Sequence, residues 1–132
     1  DEQIHALLNN YIGRFQVIRD VQNMAELMNE SHLAITNSGL TKYEMASMGL
    51  PAIVISNNDK HADLMDDFAN YGTLVHLGNN ETVTEENILH AVTTLIKDEI
   101  NRKKMSNAGK QLVDGKGMDR IFYCIPRELI YA

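Results

Sequence analysis

The stretch Leu33-Ala-Ile-Thr-Asn-Ser-Gly-Leu-Thr-Lys-Tyr-Glu-Met-Ala-Ser-Met-Gly-Leu-Pro-Ala-Ile-Val-Ile-Ser56 decides the fold. It reads as a strand, a tight polar turn, a short helix, a Gly-Pro break and a second strand. Leu33–Thr36 is the first strand. Thr41–Met48 is the helix, closed by Gly49 at the C-cap with Pro51 just beyond. Ala52–Ser56 is almost wholly apolar, the mark of a strand buried on both faces of a parallel sheet. Together these make one βαβ unit. Its polar residues gather at the first strand-to-helix turn, where open parallel sheets bind ligands.

The flanking sequence repeats the alternation. Glu2–Asn10 is predicted helical and Phe15–Arg19 is predicted to be a short strand. Asn23–Ser31 is a helix, with Asn23 as N-cap and Glu26 three residues later in a capping-box arrangement. Lys60–Asn70 is a helix and Thr73–Leu77 a strand. Thr84–Ile96 is a helix capped by Thr84, and Asn101–Leu112 is another. The hydrophobic tail Ile121–Ala132 fits helix or strand. Such alternation predicts an α/β fold: a Rossmann-like, doubly wound parallel sheet with helices on both faces. The chain opens on a helix where this fold opens on a strand, so the expectation is a single domain over 1–132 that lacks its first strand and is a fragment of a larger protein.

Composition narrows the class. The 132 residues carry a net charge of −6, which argues against nonspecific nucleic-acid binding. No apolar run approaches the roughly 20 residues of a membrane span. A single cysteine, Cys124, rules out an internal disulfide framework and fits a reducing, cytoplasmic setting. Its apolar neighbours Tyr123 and Ile125 point to an inert thiol. The methionines at 24, 28, 45, 48, 65 and 105 fall at helix positions and are expected to fill the core. His5, His32, His76 and His90 fall singly on element ends. No metal-ligand spacing, no Ser-His-Asp arrangement and no cofactor motif is evident.

Three segments fall on the carboxyl edge of the predicted sheet. Ser38, Gly39, Leu40 and Thr41 form the first turn, where Gly39 allows close backbone approach and a helix N-terminus favours a phosphate. The same residues also read as a plain helix start, because Thr41 and Glu44 have capping-box spacing. Asn58, Asp59 and His61 lie in the loop after the next strand, where amide, carboxylate and imidazole suit sugar hydroxyls. A polar helix-capping loop with Asp59 as N-cap is the alternative there, but two polar turns after neighbouring strands converge in this fold, which favours a site. Val21 follows the Phe15–Arg19 segment, and its backbone could meet a base.

The run from Asn23-Met-Ala-Glu-Leu-Met through Thr41-x-Tyr-Glu-Met-Ala to Gly49-Leu-Pro-Ala-Ile-Val-Ile55 resembles the C-terminal domain of GT-B enzymes that bind UDP-sugars. The nearest groups in this resemblance are the UDP-sugar hydrolase of pseudaminic acid biosynthesis and the spore-coat polysaccharide proteins; the lipid II-forming glycosyltransferase is more distant. The resemblance covers roughly residues 15 to 120. It implies that Ser38, Gly39, Leu40 and Thr41 meet the diphosphate, Glu44 the ribose, Val21 the uracil, and Asn58, Asp59 and His61 the sugar. The chain departs from the pattern at Ser38-Gly39-Leu40-Thr41, where Gly-Gly-Ser-Thr is common, and at His61, where glutamine is usual.

The expected function is the UDP-sugar-binding half of a glycosyltransferase or nucleotide-sugar hydrolase of surface polysaccharide or nonulosonic acid biosynthesis. Its partners are UDP or a UDP-sugar and the missing N-terminal domain, in cis or in trans. The catalytic residues lie in that other domain, so this one is not expected to turn over alone. Two rivals stand beside this reading: a subunit of a two-chain glycosyltransferase, and a non-catalytic flavodoxin-like interaction domain.

Overall fold

A computed structural model describes residues 15–126. Three strands, β1 (Ala34–Asn37), β2 (Ala52–Ser56) and β3 (Leu74–Asn79), form one parallel sheet in the order β1-β2-β3. Ala34 pairs with Ala52 and Asn37 with Ile55, so β1 and β2 end at the same edge. The helices are α1 (Met24–Glu30), α2 (Thr41–Met48), α3 (Asp59–Asn70), α4 (Glu85–Lys97), α5 (Glu99–Leu112) and α6 (Gly117–Cys124).

β2 explains the layering. Successive strand residues face opposite sides. Ala52 and Val54 pack with Met28, Met45, Met65 and Leu74 beneath α1, α2 and α3. Ile53 packs with Ala91, Leu95 and Met105 beneath α4 and α5. Ile53 and Val54 are fully buried on opposite faces, so both steps require an apolar residue. The predicted doubly wound α/β fold with helices on both faces is the fold observed.

Helix ends follow local chemistry. Asn23 Oδ1 accepts the Glu26 N–H, as its sequence position predicts. Gly49 closes α2 in the left-handed conformation at φ +70°, and the Leu50 N–H reaches back to the Met45 carbonyl. This is the 6→1 bond of a Schellman ending. Thr84 caps α4 in a full capping box whose second member is Asn87. Asp98 accepts the Asn101 N–H, which starts α5 earlier than the sequence pattern alone suggests.

Four expectations are corrected. Phe15–Arg19 forms no strand; its apolar residues Phe15, Val17 and Ile18 are exposed. A short extended segment is stable only when paired, and this one pairs with no strand of the described sheet. Met24 is 45% exposed rather than core: it lies one turn before Met28 on the same face of α1, at the helix's first residue. His76 sits within β3, not at its end. Cys124 is exposed, so apolar shielding does not explain an inert thiol. The tail is helical over Gly117–Cys124. The predicted helix Glu2–Asn10 and the residues after 126 lie outside the described residues.

α5 lies unusually close to α2. A Cβ added at Gly109 would stand 2.7 Å from the Ala46 carbonyl oxygen and 3.1 Å from its Cα. Both atoms are backbone and have nowhere to move. Gly109→Ala should therefore cost about 1–3 kcal/mol in urea unfolding, the range for overpacking. Gly117→Ala, which meets nothing within 4 Å, should leave stability unchanged or raise it by up to about 1 kcal/mol. Equal effects at the two sites would rule out the close α2–α5 contact.

α6 buries none of its side chains and is tied down by an ion pair. Arg120 donates to both Asp114 oxygens, at 2.9 and 2.5 Å. That pairing, with the Lys116 N–H, holds the Asp114 carboxyl down to about 2 from the usual 3.8. A carboxyl depressed in the folded state stabilises above its ordinary pKa, and that stability is lost as pH falls through the folded value. The tie should thus persist at pH 4 and disappear near pH 2. NMR titration of the Asp114 carboxyl should find its midpoint near 2; a midpoint near 3.8 would show that the tie does not form.

Candidate functional site

Two polar turns leave the carboxyl ends of adjacent parallel strands. The first runs Ser38–Leu40 between β1 and α2; the second is Asn57-Asn58 between β2 and α3. Because β1 and β2 run in register to Asn37 and Ile55, both turns open at one sheet edge. Each feeds a helix N-terminus, which presents unpaired N–H groups and a partial positive charge.

The first turn is built from its own side chains. Asn37 Oδ1 accepts the Gly39 N–H at 3.2 Å, an Asx-type turn that holds Gly39 in place. Ser38 is buried and Leu40 is 79% exposed at the cap position of α2. Leu40 offers no side-chain cap, and no Thr41–Glu44 capping box forms. Thr41 is the first helical residue, one position too late to cap. The expectation of a capping box there is corrected, and its Oγ is left for another partner.

Lys42 was not singled out by its sequence position. Its side chain is buried, and its Nζ donates to the Gly39 carbonyl at 3.3 Å while lying 4.6 Å from the Tyr43 ring centre. Burial lowers its pKa. Tyr43 in turn meets Phe68 of α3 edge-to-face at 5.3 Å. A cation is thereby folded against the first turn. A lysine directly following a Gly-x-Thr turn is the only sequence signal that could have marked it.

The remaining candidates divide. Glu44 is exposed and lines a groove of about 210 Å³ with Met24, Ala25, Met28, Ser47 and Met48. Val21 lines a separate groove of about 190 Å³ with Ile18, Asn23, Glu26, Leu27 and Glu30. The two grooves use different faces of α1. A carboxylate one turn inside a helix start repels phosphate but suits hydroxyl donors, which fits Glu44 to a ribose better than to a diphosphate. Asn58 is exposed, and its carbonyl accepts the Ala62 N–H. Asp59 is the first residue of α3, so Asn58, not Asp59, holds the capping position. His61 follows within α3. Among the described residues no group of three or more His, Cys, Asp or Glu could hold a metal ion. No described helix is long and apolar enough to cross a membrane.

The structure also assembles a chain the sequence reading missed. Ser56 Oγ lies 2.9 Å from His76 Nε2, and His76 Nδ1 lies 2.6 Å from Asp66 Oδ1. The order is Ser-His-Asp, but Ser56 is fully buried and cannot meet a substrate. Residues 20 and 10 apart in sequence carry no local signal of this kind.

A family model described as UDP-N-acetylglucosamine 2-epimerase matches residues 1–126. The chain belongs to that family. Over 108 residues it is 29% identical to the spore coat polysaccharide biosynthesis protein SpsG of Bacillus subtilis (strain 168), covering 82% of this chain and 32% of that protein. It is 32% identical over 95 residues to the UDP-N-acetylglucosamine 2-epimerase of Yersinia pestis, covering 72% of this chain and 23% of that one. A crystal structure from Listeria monocytogenes, assigned as a UDP-N-acetylglucosamine 2-epimerase, superposes on the whole chain with a TM-score of 0.72 at 20% identity. The chain covers 35% of that structure, and the likeness shows the shared Rossmann-like fold. The chain thus spans about a third or less of the relatives it matches.

The observed cap geometry separates two threonines. Thr84→Ala removes a working N-cap and should cost about 1 kcal/mol in chemical unfolding. Thr41→Ala removes none and should stay within about 0.5 kcal/mol of the parent. A loss at Thr41 as large as that at Thr84 would restore the capping role.

Proposed function

We propose that this chain is the UDP-sugar-binding part of a GT-B-like enzyme that acts on nucleotide sugars in surface polysaccharide biosynthesis. The observation that carries this is the pairing of two polar turns at one carboxyl edge, each opening a helix. The first turn, with Ser38, Gly39, Leu40 and Thr41, receives the diphosphate on backbone N–H groups and the α2 dipole. Glu44 accepts hydrogen bonds from the ribose hydroxyls, and the backbone near Val21 meets the uracil. Asn58, Asp59 and His61 face the sugar. Family membership supports the substrate class, and the names of SpsG and the Yersinia protein support the biosynthetic setting and a UDP-linked amino sugar.

Chemistry at the anomeric carbon releases UDP, and the departing diphosphate carries the developing charge. Fixed N–H donors and a helix dipole lower the cost of that charge because they need no reorganisation. Whether the sugar is epimerised, hydrolysed or transferred is set by the groups on its far side. We assign those groups to a second Rossmann-like domain, in cis or in trans, in a cytoplasmic enzyme. α6 supports a covering partner, since Met118, Ile121, Phe122 and Tyr123 are all more than half exposed.

The non-catalytic flavodoxin-like reading rested on a Thr41–Glu44 capping box. That box is absent, so the helix-start premise of that reading does not hold at Thr41 and Glu44.

Titration with UDP, followed by amide NMR and calorimetry, tests the proposal. Perturbations should cluster at Val21, Ser38–Glu44 and Asn57–His61. Glu44→Gln should weaken UDP about tenfold, the scale of one hydrogen bond to a charged group. Absence of binding at millimolar UDP would sink the reading.

A further inference from the structure

We propose that Ser56, His76 and Asp66 form a cross-brace that sets the conformation of the Asn57-Asn58 turn, making His76 and Asp66 positioning residues for the glycosyl part of the ligand. The inference rests on the nucleotide-sugar reading for its ligand and on independent geometry for its mechanics. The turn has two ends. Ser56 immediately precedes it, and Asp66 belongs to α3, which follows it. His76, from a third element, joins the two: Nε2 stands 2.9 Å from Ser56 Oγ, and Nδ1 stands 2.6 Å from Asp66 Oδ1. The turn is therefore bridged by side chains across its base.

The brace is oriented by chemistry. A carboxylate only accepts, so Nδ1 carries a proton and donates to Asp66. In the neutral ring Nε2 then accepts from the Ser56 hydroxyl. Ser56 is fully buried and the His76 side chain is 4% exposed, whereas that of Asp66 is 70% exposed. A buried hydroxyl without its partner is costly, so Ser56 holds His76 strongly. The exposed carboxylate costs little to place and fixes the ring's tautomer and tilt.

The backbone is shaped to match. Val54 pairs with His76, but Ser56 pairs with Asn79, so β3 uses three steps where β2 uses two. The extra residue is a bulge at the sheet edge, with Gly78 at φ +101°. Bulges re-aim side chains and end pairing beside functional sites. Here the bulge lets the Asn80 N–H close on the Ser56 carbonyl at 2.9 Å while His76 reaches its hydroxyl. Ser56 is thus held at both its backbone and its side chain, directly before the turn.

The test uses the full chain with His76→Phe, Asp66→Ala and Asp66→Asn, probed with UDP and with UDP-N-acetylglucosamine by calorimetry and amide NMR. Asp66 is exposed, so its variants report even where His76→Phe fails to fold. His76→Phe should weaken UDP-N-acetylglucosamine about tenfold while UDP changes by less than about twofold. Asp66→Ala should act in the same direction by about threefold, and Asp66→Asn, which keeps an oxygen for Nδ1–H, should restore binding. The Asn57 and Asn58 amide resonances should move in His76→Phe and Asp66→Ala and return in Asp66→Asn. A purely structural role would lower stability yet leave the ratio of the two affinities unchanged, and an unchanged ratio overturns the proposal. If the parent chain binds no UDP, the nucleotide reading fails. The Asn57 and Asn58 amides then decide the brace alone: displacement supports it, and unmoved resonances overturn it.

Discussion

The structure depends on β2 being buried on both faces at once. Ala52 and Val54 serve one helical layer and Ile53 the other, so a single strand is the shared wall of two cores. Side chains alternate sides along a strand, and a strand with two buried faces can hold no unsatisfied polar group. Ser56 ends the strand and is as buried as Ile53 and Val54. Its hydroxyl therefore demands a partner, which His76 supplies. The polar chain at the site's edge is thus a direct consequence of the apolar burial that builds the sheet.

The same wall fixes the geometry of the candidate site. Parallel strands held in register put successive carboxyl ends side by side, and the chain must turn into a helix after each. Two turns and two helix starts meet at one edge because β1 and β2 cannot slip without exposing Ile53 or Val54. The close approach of α5 to α2 at Gly109 and Ala46 braces the helix whose start closes the first turn. Lys42, folded back on Gly39 and stacked on Tyr43, adds a further tie between that turn and α3 through Phe68.

Most elements were legible because their signals are local. The Gly49-Leu50-Pro51 break, the Thr84 and Asn23 caps and the apolar run Ala52–Ile55 each act within a few residues. Legibility failed where a neighbour decides the outcome. Phe15–Arg19 has strand composition but pairs with no strand of the described sheet. Met24 shares the face of Met28, but at the first residue of α1 it stays half exposed. Thr41 has capping-box spacing, yet the helix starts at Thr41 itself because the Asn37–Gly39 turn takes up the preceding residues.

The sequence by itself determined the fold class, the order of elements from Asn23 to Leu112 and the sheet edge at which the two polar turns gather, because periodicity, caps and strand burial are written in short-range patterns. The segment Leu33–Ser56 carried nearly all of this, and its resemblance to UDP-sugar-binding domains agrees with the family that the chain belongs to. Only the tertiary structure decided which candidates share a groove, that Val21 and Glu44 lie against different faces of α1, and that Lys42 folds onto the first turn. It alone joined Ser56, Asp66 and His76. Those contacts cross between elements, and their distances depend on how the helices dock on the sheet, which no spacing along the chain encodes.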